Sequence, residues 1–191
     1  MDLGFSVDGK HYSQERVGDS LPNPPKTTSL LAFTTSGMFS IGTGEKAGIE
    51  YFDGPEGADA ICQQAAQDAA LRGDDWHAIL SLSGDLDFSI DSDVKAARAD
   101  VLVTNVKFLS EGYAIFKYDE KGNELSKEAK AWTGRGTQPD GSTVTCDGWR
   151  NPDAAGSYGQ AAIPSPGVDW SSINHESCDE RLHLYCILLK H

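Results

Sequence analysis

The chain has 191 residues, 39% of them hydrophobic, with 20 glycines, 8 prolines and a formal charge of -13 at pH 7. That length suits one well-packed domain, and the apolar share is enough for a core. The charge argues against nucleic acid, heparin-like polyanions and anionic membrane surfaces, which it would repel, and no stretch is long and apolar enough to insert in a membrane.

Residues 1–28 read as an irregular extension ahead of a domain over 29–191. Pro22, Pro24 and Pro25 exclude regular pairing there, while Phe5, Val7 and Tyr12 suit a short edge strand or a surface that docks on a neighbour. The first residues lack a basic stretch followed by an apolar one, so they do not read as an export signal. The reading leaves three routes: a signal already removed, exit by another path such as release in a virion, or a cytosolic protein.

Residues 29–35 form a buried strand candidate. Residues 36–44 read as a glycine-punctuated loop, without the Gly-Lys-Ser/Thr that would complete a phosphate-binding loop, and 44–56 as a second loop. The spacing over 57–71 predicts an amphipathic helix. Ile61, Cys62, Ala65, Ala66 and Ala69 fall on one face, and Gln63, Gln64, Gln67 and Asp68 on the other. Gly73 is expected to end the run, and Trp76, Ala78 and Leu80 then alternate as in a strand. Cys62 lies on the helix's buried side, which suits a staple to the end of the chain.

Asp85, Asp87, Asp91 and Asp93 form the densest acidic patch, read as a loop that could hold Ca2+ or simply stay solvated and cap a helix beginning near Val94. The helix-loop-helix calcium spacing is absent. Residues 101–106 and 113–116 read as strands, and 119–124 as a polar turn. Trp132, Val144 and Trp149 are expected partly buried in a sheet, with a turn at Pro139, Asp140 and Gly141. Residues 151–168 read as a long surface loop presenting Tyr158, with Trp170 covering the core beneath it. His175 and Glu176, with Asp169 and Asp179, make a polar cluster beside that loop. The last strand alternates Leu182, Leu184 and Cys186 with His183, Tyr185 and Ile187, so both faces are apolar and the strand is central.

The cysteines are Cys62, Cys146, Cys178 and Cys186. None sits in the close pair that a structural zinc site needs, so two disulfides and an oxidising compartment are the better reading. Four cysteines allow three connectivities.

Taken in order, Gly57-Ala58-Asp59-x-x-Cys62, Leu71-x-Gly73, Ala78-x-Leu80-Ser81, Trp132-Thr133-Gly134, Asp140-Gly141, Cys146-x-x-Trp149, Cys178 and Leu184-Tyr185-Cys186 carry a resemblance over roughly residues 30–188. The pattern resembles the endostatin-like branch of the C-type-lectin-like fold, found at the C-terminus of certain collagens and in uncharacterised bacterial surface and secreted proteins. The resemblance implies an α+β domain: a mixed sheet with packed helices, long loops and two nested disulfides. It also implies the pairings Cys62–Cys186 and Cys146–Cys178. The chain departs from the collagen-derived members, which are basic, bind heparin and hold zinc through histidines near their start; here only His11 lies in that region, and zinc is not carried over. Gln138, Pro139 and Asp140 match by letters a triplet of calcium-dependent sugar binders, but Trp149 is followed by Arg150 and Asn151 rather than the second triplet.

No catalytic constellation stands out. His11, His77, His175, His183 and His191 are scattered, His77 is placed to pair with Asp74 or Asp75, and no nucleophile-elbow motif surrounds Ser81 or Ser83. The Arg72-Gly73-Asp74 tripeptide falls in a helix-ending turn. The sequence therefore points to a non-catalytic, extracellular or cell-surface recognition or adhesion domain for a protein or glycan. Binding candidates are Gln138, Asp140, Tyr158, Trp170, His175 and Glu176. The alternatives are a structural subunit of an appendage or virion that assembles through residues 1–28, and a secreted hydrolase.

Overall fold

The computed structural model describes residues 5–7, 10–12, 29–42, 50–82, 89–98, 102–108, 116–134, 141–160 and 174–189, with the backbone alone described at 5–7, 10–12, 89–93, 102–108, 155–160 and 174. The strands are β1 (Phe5–Val7), β2 (Lys10–Tyr12), β3 (Leu30–Thr34), β4 (Phe39–Ile41), β5 (Glu50–Phe52), β6 (Trp76–Ala78), β7 (Ser89–Ala96), β8 (Leu102–Phe108), β9 (Lys130–Trp132), β10 (Ala155–Gln160), β11 (Asn174–Ser177) and β12 (His183–Leu188). Two helical segments join them, α1 (Gly54–Asp68) and the single turn α2 (Cys146–Trp149).

The architecture is α+β around a mixed eight-stranded sheet ordered β11-β10-β9-β12-β3-β7-β8, with β6 also pairing β12. β12 runs antiparallel to β3 over Tyr185–Leu188; it meets β9 in parallel at His183 and Leu184, and β6 antiparallel from Cys186 to Leu188. Its central place follows from its sequence. Leu184, Cys186 and Leu188 join one buried cluster with Phe33, Trp132 and Trp149, while Tyr185 and Ile187 join a second with Val94, Ala96 and Phe116. A strand that is apolar on both sides must be covered on both.

α1 buries Gly54, Ala58, Cys62 and Ala66, a stripe of small residues four apart that lets the helix lie close against the sheet. Pro55 fills its first turn, where a missing N–H costs nothing. The helix ends differently from expectation. Ala70, at φ 50°, takes the left-handed position, and Leu71 N–H bonds Ala66 O while Ala70 N–H bonds Gln67 O, a Schellman closure. Gly73 serves a different need: a Cβ there would stand 2.7 Å from Leu188 Cδ1.

Three expectations are corrected. The segments read as loops at 36–44 and 44–56 contain β4 and β5, which pair in parallel, and Phe39, Ile41 and Phe52 are buried. The helix expected near Val94 is instead β7, flanked by β3 and β8, so sheet pairing on both edges overrides the helical leaning of its alanines. The surface loop expected over 151–168 contains β10, which pairs with both β9 and β11.

Two disulfides close the fold, Cys62–Cys186 from α1 to β12 and Cys146–Cys178 from α2 to the end of β11. Their sequence separations are 124 and 32 residues. In the chain-entropy picture such loops restrain the unfolded chain by about 5 and about 4 kcal/mol taken singly. Disulfides of this kind suit an oxidising environment, and no helix among the described residues is long and apolar enough to cross a membrane.

Candidate binding cleft beside helix α1

The exposed side of α1 forms one wall of a cleft of about 440 Å³. Ile61, Gln64, Ala65 and Asp68 face it from the helix, Tyr51 from β5, and Glu120 from the turn at 119–122. The β3–β4 connection closes a further side. Each wall is fixed by a separate interaction. α1 is crosslinked through Cys62, and Asp53 and Glu56 at its start pair with Arg150 at 3.1 and 3.4 Å. Glu120 Oε2 accepts the N–H of Ser36 at 2.7 Å, and its Oε1 accepts the Ser36 hydroxyl. Asp119 Oδ1 accepts the N–H groups of Lys121 and Asn123 at 2.9 and 2.7 Å. Both acids are buried, at 5% and 4% exposure for Asp119 and Glu120, although the sequence reads simply as a polar turn. Their carboxylates replace lost water with backbone and hydroxyl donors. The cleft thus has a rigid, mixed lining: an aliphatic strip on the helix, a phenol, and carboxylates at Glu50, Asp68 and Glu120 facing one ammonium at Lys121.

His77 meets two carboxylates, not a hydroxyl. Its Nδ1 lies 2.9 Å from Asp59 on α1, and its Nε2 lies 3.1 Å from Asp75. Of the two acids the sequence offers, Asp74 and Asp75, it is Asp75 that pairs; the Asp59 pairing was not expected, because 18 residues separate it from His77 in sequence. Burial lowers the His77 pKa, but the hydrogen bonds and charges of Asp59 and Asp75 outweigh that and hold it above the usual imidazole value. With both ring nitrogens occupied by acids, the arrangement clasps helix to strand.

A second unusual feature is α2. Cys146, Asp147, Gly148 and Trp149 take φ of 51°, 53°, 71° and 66°, four successive left-handed residues of which only one is glycine. Each non-glycine costs about 1–2 kcal/mol. The turn is held by its disulfide, by burial of Trp149, and by the Trp149 indole N–H donating to Ser81 O at 2.8 Å. Its effect is to push Trp149 into the core against Trp132 while leaving Asp147 exposed.

Of the residues singled out from sequence, the described ones lie in the strands β7, β10 and β11. Glu176, in β11, pairs with Lys130 across the sheet, and His175 beside it is exposed. Tyr158 lies in β10, in register with Trp132 on one side and Asn174 on the other, rather than in a loop. Gln138, Asp140, Trp170, Asp85 and Asp87 lie outside the described residues. Asp91 and Asp93 belong to β7, and their side chains are likewise outside them. Among the described residues, no three or more His, Cys, Asp or Glu side chains gather as a metal site would require. The Arg72-Gly73-Asp74 tripeptide is exposed beyond the end of α1.

These features define a disulfide-stapled α+β domain with a preformed cleft on its helical face. No protein-family model matches the chain, and no curated protein matches it.

Proposed function

We propose that the chain is a non-catalytic extracellular recognition or adhesion domain of the endostatin-like branch of the C-type-lectin-like fold, and that it takes a protein or glycan ligand in the cleft beside α1. The observation that carries this reading is the cleft itself, of about 440 Å³, with a wall crosslinked to the central strand. Preformed concave sites with a mostly apolar lining and a few oriented polar groups are the usual ligand sites of proteins, and rigidity reduces the entropy lost on binding. The fold assignment draws support from the order of the cysteine-bearing motifs together with the nested pairing of Cys62–Cys186 and Cys146–Cys178. A panel of immobilised glycans and purified cell-surface proteins, probed with wild type and with Gln64→Trp, tests it. Gln64 is exposed at the cleft, so the substitution fills the site without touching the core. The reading expects a saturable ligand whose binding the variant loses while the melting temperature holds. Binding undiminished by Gln64→Trp, or turnover of the bound ligand, contradicts it.

The assembly reading draws on β1 and β2, which pair antiparallel as a two-stranded sheet of their own. Such a hairpin is marginal in isolation. If a neighbour's surface stabilises it, native mass depends on concentration, and removal of residues 1–28 abolishes the dependence.

A further inference from the structure

A second pocket, of about 340 Å³, is lined by the residues that follow α1, by Leu31 of β3 and by the end of β7. It shares no lining residue with the cleft. Three cations, Arg72, Lys95 and Arg98, stand around it, and among the described residues no acid lines it. In a chain with 29 acidic and 16 basic residues that segregation is unusual.

Arg98 is fixed in place. Its guanidinium donates to the carbonyl oxygens of Ala69 and Ala70, which the left-handed turn at Ala70 leaves open at the negative end of the helix. Arg72 and Lys95 have no carboxylate partner among the described residues. Like charges gathered without a counter-ion repel one another, and an oxyanion between them removes that repulsion. The remaining lining is aliphatic: Leu31, Ala70, Leu71 and Ala97. A fully hydrated inorganic ion gains nothing from such walls, whereas a hydrocarbon body beside an acid group gains by leaving water.

We infer that this pocket binds a small organic acid, with its carboxylate between Arg72, Lys95 and Arg98 and its aliphatic part against Leu31 and Leu71. The pocket's size admits a short acid rather than a polymer. The chain's -13 charge also opposes any extended polyanion that would run beyond it. This inference is independent of the cleft and of the ligand proposed there.

The test is a titration of the intact, oxidised protein with sodium hexanoate, followed by backbone amide shifts. Hexanol, inorganic sulfate, hexyl sulfate and a heparin fragment serve as comparison probes. Saturable hexanoate shifts confined to residues 30–32, 70–72 and 95–98 are expected, with sulfate and hexanol each at least about tenfold weaker, since each lacks one half of the recognition. Hexyl sulfate weaker than hexanoate supports a planar carboxylate between the three cations, while equal binding overturns the carboxylate assignment. The double variant Arg72→Ala with Lys95→Ala removes two exposed side chains and keeps the cap on α1. It should weaken hexanoate at least about tenfold with the rest of the spectrum unchanged. The inference is overturned if that variant binds hexanoate as well as wild type, if the shifts map elsewhere, or if only heparin binds.

Discussion

Asp59 and His77 join α1 to β6 through a two-point contact: Oδ2 of Asp59 lies 2.9 Å from the imidazole Nδ1, and Oδ1 accepts the N–H of the next residue, Ala78, at 2.7 Å. Asp75 holds the other ring nitrogen. Because the folded pKa of His77 is raised, the clasp contributes fully below the ordinary imidazole value of 6.5 and is lost as pH rises through the raised folded value. The imidazole side chain is 38% exposed, so solvent screening limits the effect to about 1 kcal/mol or less. The urea midpoint of wild type should therefore fall more than that of His77→Gln between about pH 6 and about pH 8.5. Parallel profiles for the two proteins would show that the clasp carries no linkage.

Asp59→Asn separates the two functions of this residue. The amide oxygen still accepts the Ala78 N–H but one of the two charges facing His77 is gone, so the pH dependence should shrink to the share that Asp75 supplies, with little loss of stability. Asp59→Ala removes both and leaves a backbone donor short, at a cost of about 1–3 kcal/mol. Equal destabilisation by Asn and Ala, measured by denaturant unfolding, would assign the whole effect to charge and contradict the backbone contact.

Much of this frame was legible in sequence, for identifiable reasons. Helical spacing over 57–71 and two-sided alternation from Leu182 to Leu188 are local signals; β12 follows the second, while α1 runs from Gly54 to Asp68 and of the expected face buries Cys62 and Ala66, with Ile61 and Ala65 turned to the cleft. The cysteine pairing was implied by resemblance to a family, whereas spacing alone left three options. Around Val94 the residues Lys95, Ala96, Ala97 and Arg98 favour a helix locally, while the pairing that makes Val94–Ala96 part of a strand comes from Leu102–Val103 just downstream and from Leu30–Ala32, which is remote in sequence. β4 and β5 were hidden by glycines. The cleft was missed for the same kind of reason: burial of Glu120 depends on Ser36, 84 residues away. Asp59 was passed over because Asp74 and Asp75 lie nearer to His77 along the chain.

The buried indoles give a further prediction. Trp149 Nε1–H donates to Ser81 O at 2.8 Å and Trp132 Nε1–H to Phe39 O at 3.1 Å, but the buried Trp76 Nε1–H has no acceptor among the described residues. Trp76→Phe loses ring volume beside Phe33, offset by removal of an unsatisfied donor. It should destabilise by at least about 1 kcal/mol less than Trp149→Phe, with Trp132→Phe between them because Phe39 O keeps the N–H of Leu182. The reverse order in urea unfolding would contradict this account.

Two left-handed glycines should differ sharply. At Gly134, φ 66°, a Cβ would stand 2.5 Å from Trp149 Cζ2 and 2.7 Å from Ser81 O; at Gly148, φ 71°, nothing lies within 4 Å. Gly148→Ala meets the conformational cost alone, about 1–2 kcal/mol, while Gly134→Ala also displaces the packing of Trp149 and should cost at least about 2 kcal/mol more. Thermal melts of the two variants decide it, and equal losses would contradict the close approach at Gly134.

The account rests most heavily on the crosslink between α1 and β12, which fixes the helix that walls the cleft. Peptide mapping of protein folded under oxidising conditions, without reduction, tests it directly. The predicted result is two linked peptide pairs, Cys62 with Cys186 and Cys146 with Cys178, and no free thiol. Free thiols in such protein, or any other pairing, would contradict the fold, its place in an oxidising compartment and the rigid cleft together.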